Sequence, residues 1–210
     1  KRTQARPITT GNLSVKNAVA VTIILLIIAF LLVLQTNQQT IYLSFIALGL
    51  AIVYPWLKRI TFWPQIGLGL AFSMAIPMSF TAYEQPIDRI AWALFLGNVA
   101  WTLAYDTLYA MVDRDDDLLI GVKSTAIVFG RYDLFAIGCC QLIAISGFGY
   151  AFWLAKLNPL SVLGIFAAFG LTLRQHAIAR SRSREACFEA FLKSHRFGAV
   201  LFLGGLLGML

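Results

Sequence analysis

Long apolar runs separated by short polar stretches organise this chain. Seven of them approach the roughly 20 residues a helix needs to cross a bilayer: about 17–35, 40–57, 64–82, 88–106, 134–155, 159–174 and 197–210. Aromatic residues mark the proposed ends: Tyr54, Trp56, Trp63, Trp92, Trp101 and Trp153, as an interfacial belt would. Pro55, Pro64, Pro86 and Pro159 are expected at ends or in loops, whereas Pro77 lies within the third run and should kink it or unwind its end. The expected fold is therefore an all-α polytopic membrane protein, a single transmembrane domain over 1–210. Neither an internal repeat nor a low-complexity segment is evident.

Composition agrees. The chain has 210 residues, of which 59% are hydrophobic and 13% charged. A soluble domain carries about 25% charged residues, so this one has too little charge to cover a water-facing surface. Disorder needs the opposite composition. The three cysteines, Cys139, Cys140 and Cys187, have no spacing that suggests a disulfide framework or a zinc site. The first run is too long for a signal-peptide core, and no small-residue cleavage pattern follows it, so no secretory signal is expected.

The net charge of +7 is informative through its distribution. Counted loop by loop, alternate sides of the seven spans carry fifteen Lys and Arg against two. The positive-inside rule puts the first group in the cytoplasm and the C-terminus outside. Nucleic acid is not implied.

Acidic residues are concentrated. Six of the ten, Asp106, Asp113, Asp115, Asp116, Asp117 and Asp133, fall between 106 and 133, on the side read as cytoplasmic. At 100° per residue, Asp106, Asp113 and Asp117 lie at about 0°, −20° and +20°, with Tyr109 at about −60° and Asp115 opposite. Carboxylates on one face repel unless a cation neutralises them, and hard oxygen donors favour Mg²⁺ or Ca²⁺. The spacing alone leaves two readings open: a metal site, or a solvated acidic loop that caps helix ends. A second cluster, Tyr54-Pro-Trp-Leu-Lys-Arg59, closes the second span. Lys58 follows Tyr54 by four residues, so both face one side if the helix continues past Pro55. Snorkelling cations at a span end would look the same. Arg6, with Lys1 and Arg2, forms another cationic patch on that side, and Lys123 follows the acidic motif. Metal-bearing carboxylates on one flank and Lys or Arg on the other suit a diphosphate. Asn98, in an otherwise apolar run, is either a site residue or an interhelical hydrogen bond.

Tyr105-Asp-Thr-Leu-Tyr-Ala-Met-Val-Asp-Arg-Asp-Asp-Asp117, followed by Ile120-Gly-Val-Lys-Ser-Thr-Ala126, resembles the second aspartate-rich motif of the UbiA-type intramembrane prenyltransferases, most closely of their 4-hydroxybenzoate branch. Lys1-Arg-Thr-Gln-Ala-Arg-Pro7 with Gly11, Tyr54–Arg59 and Arg184-Glu-Ala-Cys-Phe-Glu-Ala-Phe191 resemble further family segments, so the likeness covers essentially the whole chain. The resemblance implies nine helices, of which this chain supplies seven. It also implies a first motif, Asn-Asp-x-x-Asp-x-x-x-Asp, expected immediately before Lys1. The chain is accordingly expected to be the C-terminal portion of such an enzyme, holding half of the metal site, with activity on its own in doubt.

The resemblance further implies an alkyl- or aryl-transferase of ubiquinone biosynthesis in the bacterial inner membrane. It would move a polyprenyl group from polyprenyl diphosphate to the ring of 4-hydroxybenzoate, ortho to the hydroxyl, with Mg²⁺ as cofactor. Asp113 and Asp117 would bind the metal and Asp106 would assist. Lys58, Arg59, Arg6 and Lys123 would neutralise diphosphate, and Tyr54, Tyr109 and Asn98 would line the site. The lipid bilayer is the only other partner expected; no obligatory protein partner is implied. Alternatives are another aromatic acceptor, a non-catalytic membrane fragment, and a transporter. The last is disfavoured because the carboxylates lie after a span rather than at mid-depth.

Overall fold

The computed structural model describes residues 6–210, so the expected roles of Lys1 and Arg2 lie outside the described residues. The described chain is helical: α1 (Val15–Val33), α2 (Gln38–Ile60), α3 (Pro64–Ser73), α4 (Ala75–Ala82), α5 (Arg89–Ile120), α6 (Thr125–Phe129), α7 (Asp133–Leu154), α8 (Ser161–Ala179), α9 (Arg184–Leu192) and α10 (His195–Met209). Six stretches are long and apolar enough to span a membrane: α1, α2, α3 with α4, α6 with α7, α8, and α9 with α10. The region expected to be the fourth span lies in α5, a more polar helix than those six because Asn98, Thr102, Asp106 and Thr107 interrupt its apolar positions.

The largest departure from expectation is the length of α5. A span ending at 106 was expected; the helix runs to Ile120. Thirty-two residues make about 48 Å of helix, well beyond the ~30 Å hydrocarbon core. The acidic segment is thus a rigid projection of the central helix, not a loop. It stops at Gly121, whose φ of 71° is the left-handed conformation glycine adopts freely. Both the Gly121 and Val122 N–H groups bond back to the Asp117 carbonyl.

Two prolines behave differently. Pro77 does interrupt its span: α3 and α4 meet at Met74, three residues before a ring that leaves no N–H for the Ser73 carbonyl. Pro55, expected at an end, lies inside α2, and the helix passes through it to Ile60. Helix α1 buries none of its residues and packs along α2. A helix apolar on all sides and uncovered by protein is suited to lipid.

Helix α5 is the axis of the bundle and packs against α3, α4, α6, α7 and α9. Small residues set the closest crossings. A Cβ at Gly147 of α7 would meet the Gly97 Cα at 3.0 Å, and one at Gly164 of α8 would meet the Gly204 Cα of α10 at 2.7 Å. Because the latter contact is backbone to backbone, Gly164→Val should force α8 and α10 apart. The expected result is an apparent unfolding temperature in detergent lower by about 5 °C or more, from overpacking of about 2 kcal/mol. An unchanged melting curve would remove this crossing from the determinants of stability. Beside it, Trp101 of α5 stacks on Phe197 of α10 at 3.8 Å between ring centroids. A second core of Ala104, Leu108, Met111, Ile137, Ala179, Cys187 and Ala190 lies directly beneath the acidic projection. Cys187 is a fully buried member of that core. All three cysteines are free.

Candidate active site

The end of α2 is tied to the segment that follows α5 and faces α5 itself. Tyr54 and Lys58 share a side of α2 because the helix continues through Pro55, and the Lys58 Nζ lies 5.8 Å from the Tyr54 ring centroid. The Lys58 ammonium acts electrostatically on both Asp106 and Asp117, which lie along the facing side of α5. Asp106 is buried, Asp113 and Asp117 half-buried. The one-face arrangement of 106, 113 and 117 therefore points toward α2. Asp115, on the opposite side, is exposed.

The segment after α5 closes the site from above. The Lys123 N–H donates to the Lys58 carbonyl at 2.9 Å, and Lys123 Nζ donates to the Ile60 carbonyl at 3.1 Å over the Phe62 ring. The Thr125 N–H donates to Gln65 Oε1 at 3.1 Å, and the Thr125 and Thr107 hydroxyls are 2.8 Å apart. Two motifs more than sixty residues apart in the chain are thereby held at a fixed separation. Gln65 and Thr107 are not among the residues that the sequence pattern marks. A glutamine one residue into an apolar span is the signal that could have found the first.

Other expected residues are placed differently. Arg59 is exposed beside Lys58. Arg6 sits in the exposed turn before α1 and shares no hydrogen bond or ion pair with the cluster among the described residues. Asn98 Nδ2 donates to Ser73 Oγ at 2.9 Å, tying α5 to α3, and also borders a cavity of about 380 Å³ between α5, α7 and α10. Tyr109 packs edge-on against Phe191 of α9 at 4.9 Å, next to Tyr105. Asp133, counted with the acidic cluster, is a buried ion-pair centre instead: Arg114 reaches it at 2.6 Å and Arg182 at 2.9 Å.

The end of α5 suits a cation. Asp115, Asp116 and Asp117 stand near the end of the helix, where the macrodipole is negative, and the last turn carries no basic residue of its own. Burial, then the neighbouring Asp113, pushes the Asp117 carboxyl up to about 6. A carboxyl so raised is costly to keep ionised at neutral pH, and a bound cation relieves that cost. Among the described residues, no three of His, Cys, Asp or Glu gather as a metal-binding group. That is compatible with Mg²⁺, which takes one or two carboxylates and completes its shell with water and substrate phosphate. Asp113 and Asp117 fit such an ion.

Comparison with known proteins identifies the family and the fold. The model of the UbiA prenyltransferase family matches residues 1–203. The chain belongs to that family. Among curated UbiA relatives it is 49% identical over 210 residues to a 4-hydroxybenzoate octaprenyltransferase of Sodalis glossinidius, covering 100% of this chain and 72% of that protein. It is 47% identical over 204 residues to the enzyme of the same name from Escherichia fergusonii, covering 97% and 70%. The apo structure of a UbiA homologue from Aeropyrum pernix K1 superimposes with a TM-score of 0.86 at 22% identity, over 100% of this chain and 78% of that one. A digeranylgeranylglyceryl phosphate synthase matches with a TM-score of 0.70 at 16% identity, over 99% and 74%. The helical UbiA fold, the membrane spans and membership of a transferase family thus stand together.

Proposed function

We propose that this chain forms one membrane domain that transfers a polyprenyl group from its diphosphate to 4-hydroxybenzoate, ortho to the hydroxyl, for ubiquinone synthesis, with Mg²⁺. The observation that carries the reading is Lys58, whose carbonyl accepts the Lys123 N–H, within electrostatic reach of both Asp106 and Asp117 of α5. The acceptor rests on the names of relatives 47–49% identical to this chain. In this reading the motif faces the cytoplasm of a bacterial cell and the C-terminus lies outside, as the Lys and Arg distribution implies.

The chemistry follows from the charges. Asp113 and Asp117 would hold Mg²⁺, which when bound would supply Lewis-acid stabilisation of the charge on the diphosphate. Lys58, whose charge acts on Asp106 and Asp117, would also offset the charge of the diphosphate. Lys123 spends one N–H on the Ile60 carbonyl, which fixes its head at the end of α2. Asp106, buried beneath, orients Lys58. Arg59 and Arg6 add positive charge at the approach. As the carbon–oxygen bond of the donor breaks, an allylic cation forms; the ring of 4-hydroxybenzoate attacks it and then loses the proton at that carbon. Tyr54, Tyr105 and Tyr109 offer ring faces to the cation. The isoprenoid tail, as apolar as lipid, lies along the helices while the charged groups stay at the membrane boundary.

The test uses membranes bearing the full-length protein, supplied with a polyprenyl diphosphate and 4-hydroxybenzoate. Ring-prenylated product and diphosphate should form in equal amounts, with Mg²⁺ and not with a chelator. Absence of diphosphate release would sink the transferase reading; transfer only to a different aromatic would sink the acceptor. Lys58→Ala should raise the KM for the prenyl diphosphate about tenfold or more, the value of a charge-assisted contact. Arg59→Ala, an exposed charge, should change it by less than about threefold. Equal effects would put Lys58 back among ordinary span-end cations.

A further inference from the structure

The end of α5 carries more carboxylates than the proposed site uses. Asp113, Asp115, Asp116 and Asp117 stand within five residues. On a helix, i+3 and i+4 neighbours are about equally close. Asp113 can therefore share a cation with Asp117, toward Lys58, or with Asp116, turned about 100° away. Asp116 is near enough for its charge to act on Asp117. Helical spacing alone does not choose between the two pairs.

Arg184 does. At the first position of α9, its Nη1 donates to Asp116 Oδ2 at 2.8 Å, and its Nη2 to Asp116 Oδ1 at 3.2 Å. The same Nη2 reaches Asp115 Oδ2 at 3.4 Å. Both oxygens of Asp116 are thus engaged by one planar fork. Nor is this an unsupported surface arginine. Ser183 Oγ caps α9 by accepting the Ala186 N–H at 3.2 Å. Arg182, two residues back, is held by Asp133 at 2.9 Å and donates to the Arg131 carbonyl at 3.0 Å. Cys187 and Ala190, on the same short helix, are fully buried in the core beneath α5.

We propose that Arg184 is a positioning residue that keeps Asp116 and Asp115 out of the metal site, so that the cation is held by Asp113 with Asp117, facing Lys58. This rests on the reading of Asp113 and Asp117 as the metal carboxylates. Removing the guanidinium leaves the carboxylates in place and opens a second register for the ion, away from the diphosphate.

The test is a double-mutant experiment on the full-length protein purified in detergent. Mn²⁺ is titrated without substrate and followed by the electron-spin resonance of the free ion; turnover is measured in parallel with Mg²⁺. Arg184→Ala should bind Mn²⁺ about threefold more tightly, because a cation has left the neighbourhood, and yet turn over about tenfold more slowly even with excess Mg²⁺. Adding Asp116→Asn should reverse both changes, since it removes the competing pair. A purely structural clamp predicts the opposite, no recovery when its second half is also removed. Near-normal turnover in Arg184→Ala, or a loss that persists in the double variant, overturns the inference. Asp117→Asn separates the two layers. If the unmodified protein binds no Mn²⁺ that Asp117→Asn abolishes, the site reading falls and this inference with it. If that binding is present and Arg184→Ala leaves it and turnover unchanged, only the role of Arg184 falls.

Discussion

Asp113→Asn or Asp117→Asn in the full-length protein is expected to lower turnover by about 10²–10³-fold while leaving the fold intact. The magnitude is that of removing one preorganised electrostatic group from a transition state in which charge is developing. Asparagine keeps the volume and one oxygen but gives up the charge that holds a divalent cation. Folding should survive because both carboxyls are half-buried and neither is an N-cap or a partner in an ion pair seen here. For Asp117 the loss of charge removes a group that burial and Asp113 already make costly to ionise. Asp117→Asn is therefore expected to be as stable as the unmodified protein or slightly more so in the absence of metal, a signature that sets a site residue apart from a structural one. Asp115→Asn, exposed and touching Arg184 only at 3.4 Å, should change turnover by less than about threefold. The decisive comparison is steady-state diphosphate release with thermal unfolding of the same preparations. Equal losses at 115 and 117 would refute the assignment of one helix face to the metal.

That face was legible because its cause is local. Helical periodicity alone places 106, 113 and 117 together, and an uninterrupted α5 is all the structure has to supply. The apolar spans were legible for the same reason, since bilayer thickness fixes the length of each run. The extent of α5 was not. A span length of about 20 residues stops the reading at Asp106, whereas the helix continues because Leu108, Ala110 and Met111 rest on a core with Ala190 and no Gly or Pro interrupts it from there to Gly121. The ion pairs were also hidden. Arg114, Asp133 and Arg182 are separated by 19 and 49 positions, and in the sequence the arginines register only as positive charge on one side of the membrane. The same distance hid the grip of Gln65 on Thr125. Long-range polar contacts leave no periodicity behind them, and so the positions that aim the site were less visible than those that form it.

The largest effect on stability, by contrast, is expected away from the metal carboxylates, at Asp133. This side chain is fully buried at the start of α7, and its two oxygens accept from Arg114 at 2.6 Å, from Arg182 at 2.9 Å and from the Leu134 N–H at 2.6 Å. Asp133→Ala would strand two guanidinium groups at once. Breaking a buried pair by deleting one partner costs about 3–5 kcal/mol; the side-chain exposures of Arg114 (23%) and Arg182 (41%) place the expected cost toward the lower end, about 3 kcal/mol. The measurement is thermal unfolding in detergent, with an expected drop of about 5–10 °C. Arg182→Ala should cost distinctly less, because Asp133 would keep Arg114 and the Leu134 N–H, and Arg182 is the more exposed partner. Equal costs at 133 and 182 would mean that the pair, and not the buried carboxylate, sets the energy. The contrast with Asp113 and Asp117 is physical. A half-buried carboxylate without an arginine is a liability to the apoprotein, tolerable where a cation is to bind. A carboxylate enclosed by two arginines is satisfied already, has no capacity left for a metal, and instead ties α5, α7 and the loop before α9 into one rigid end.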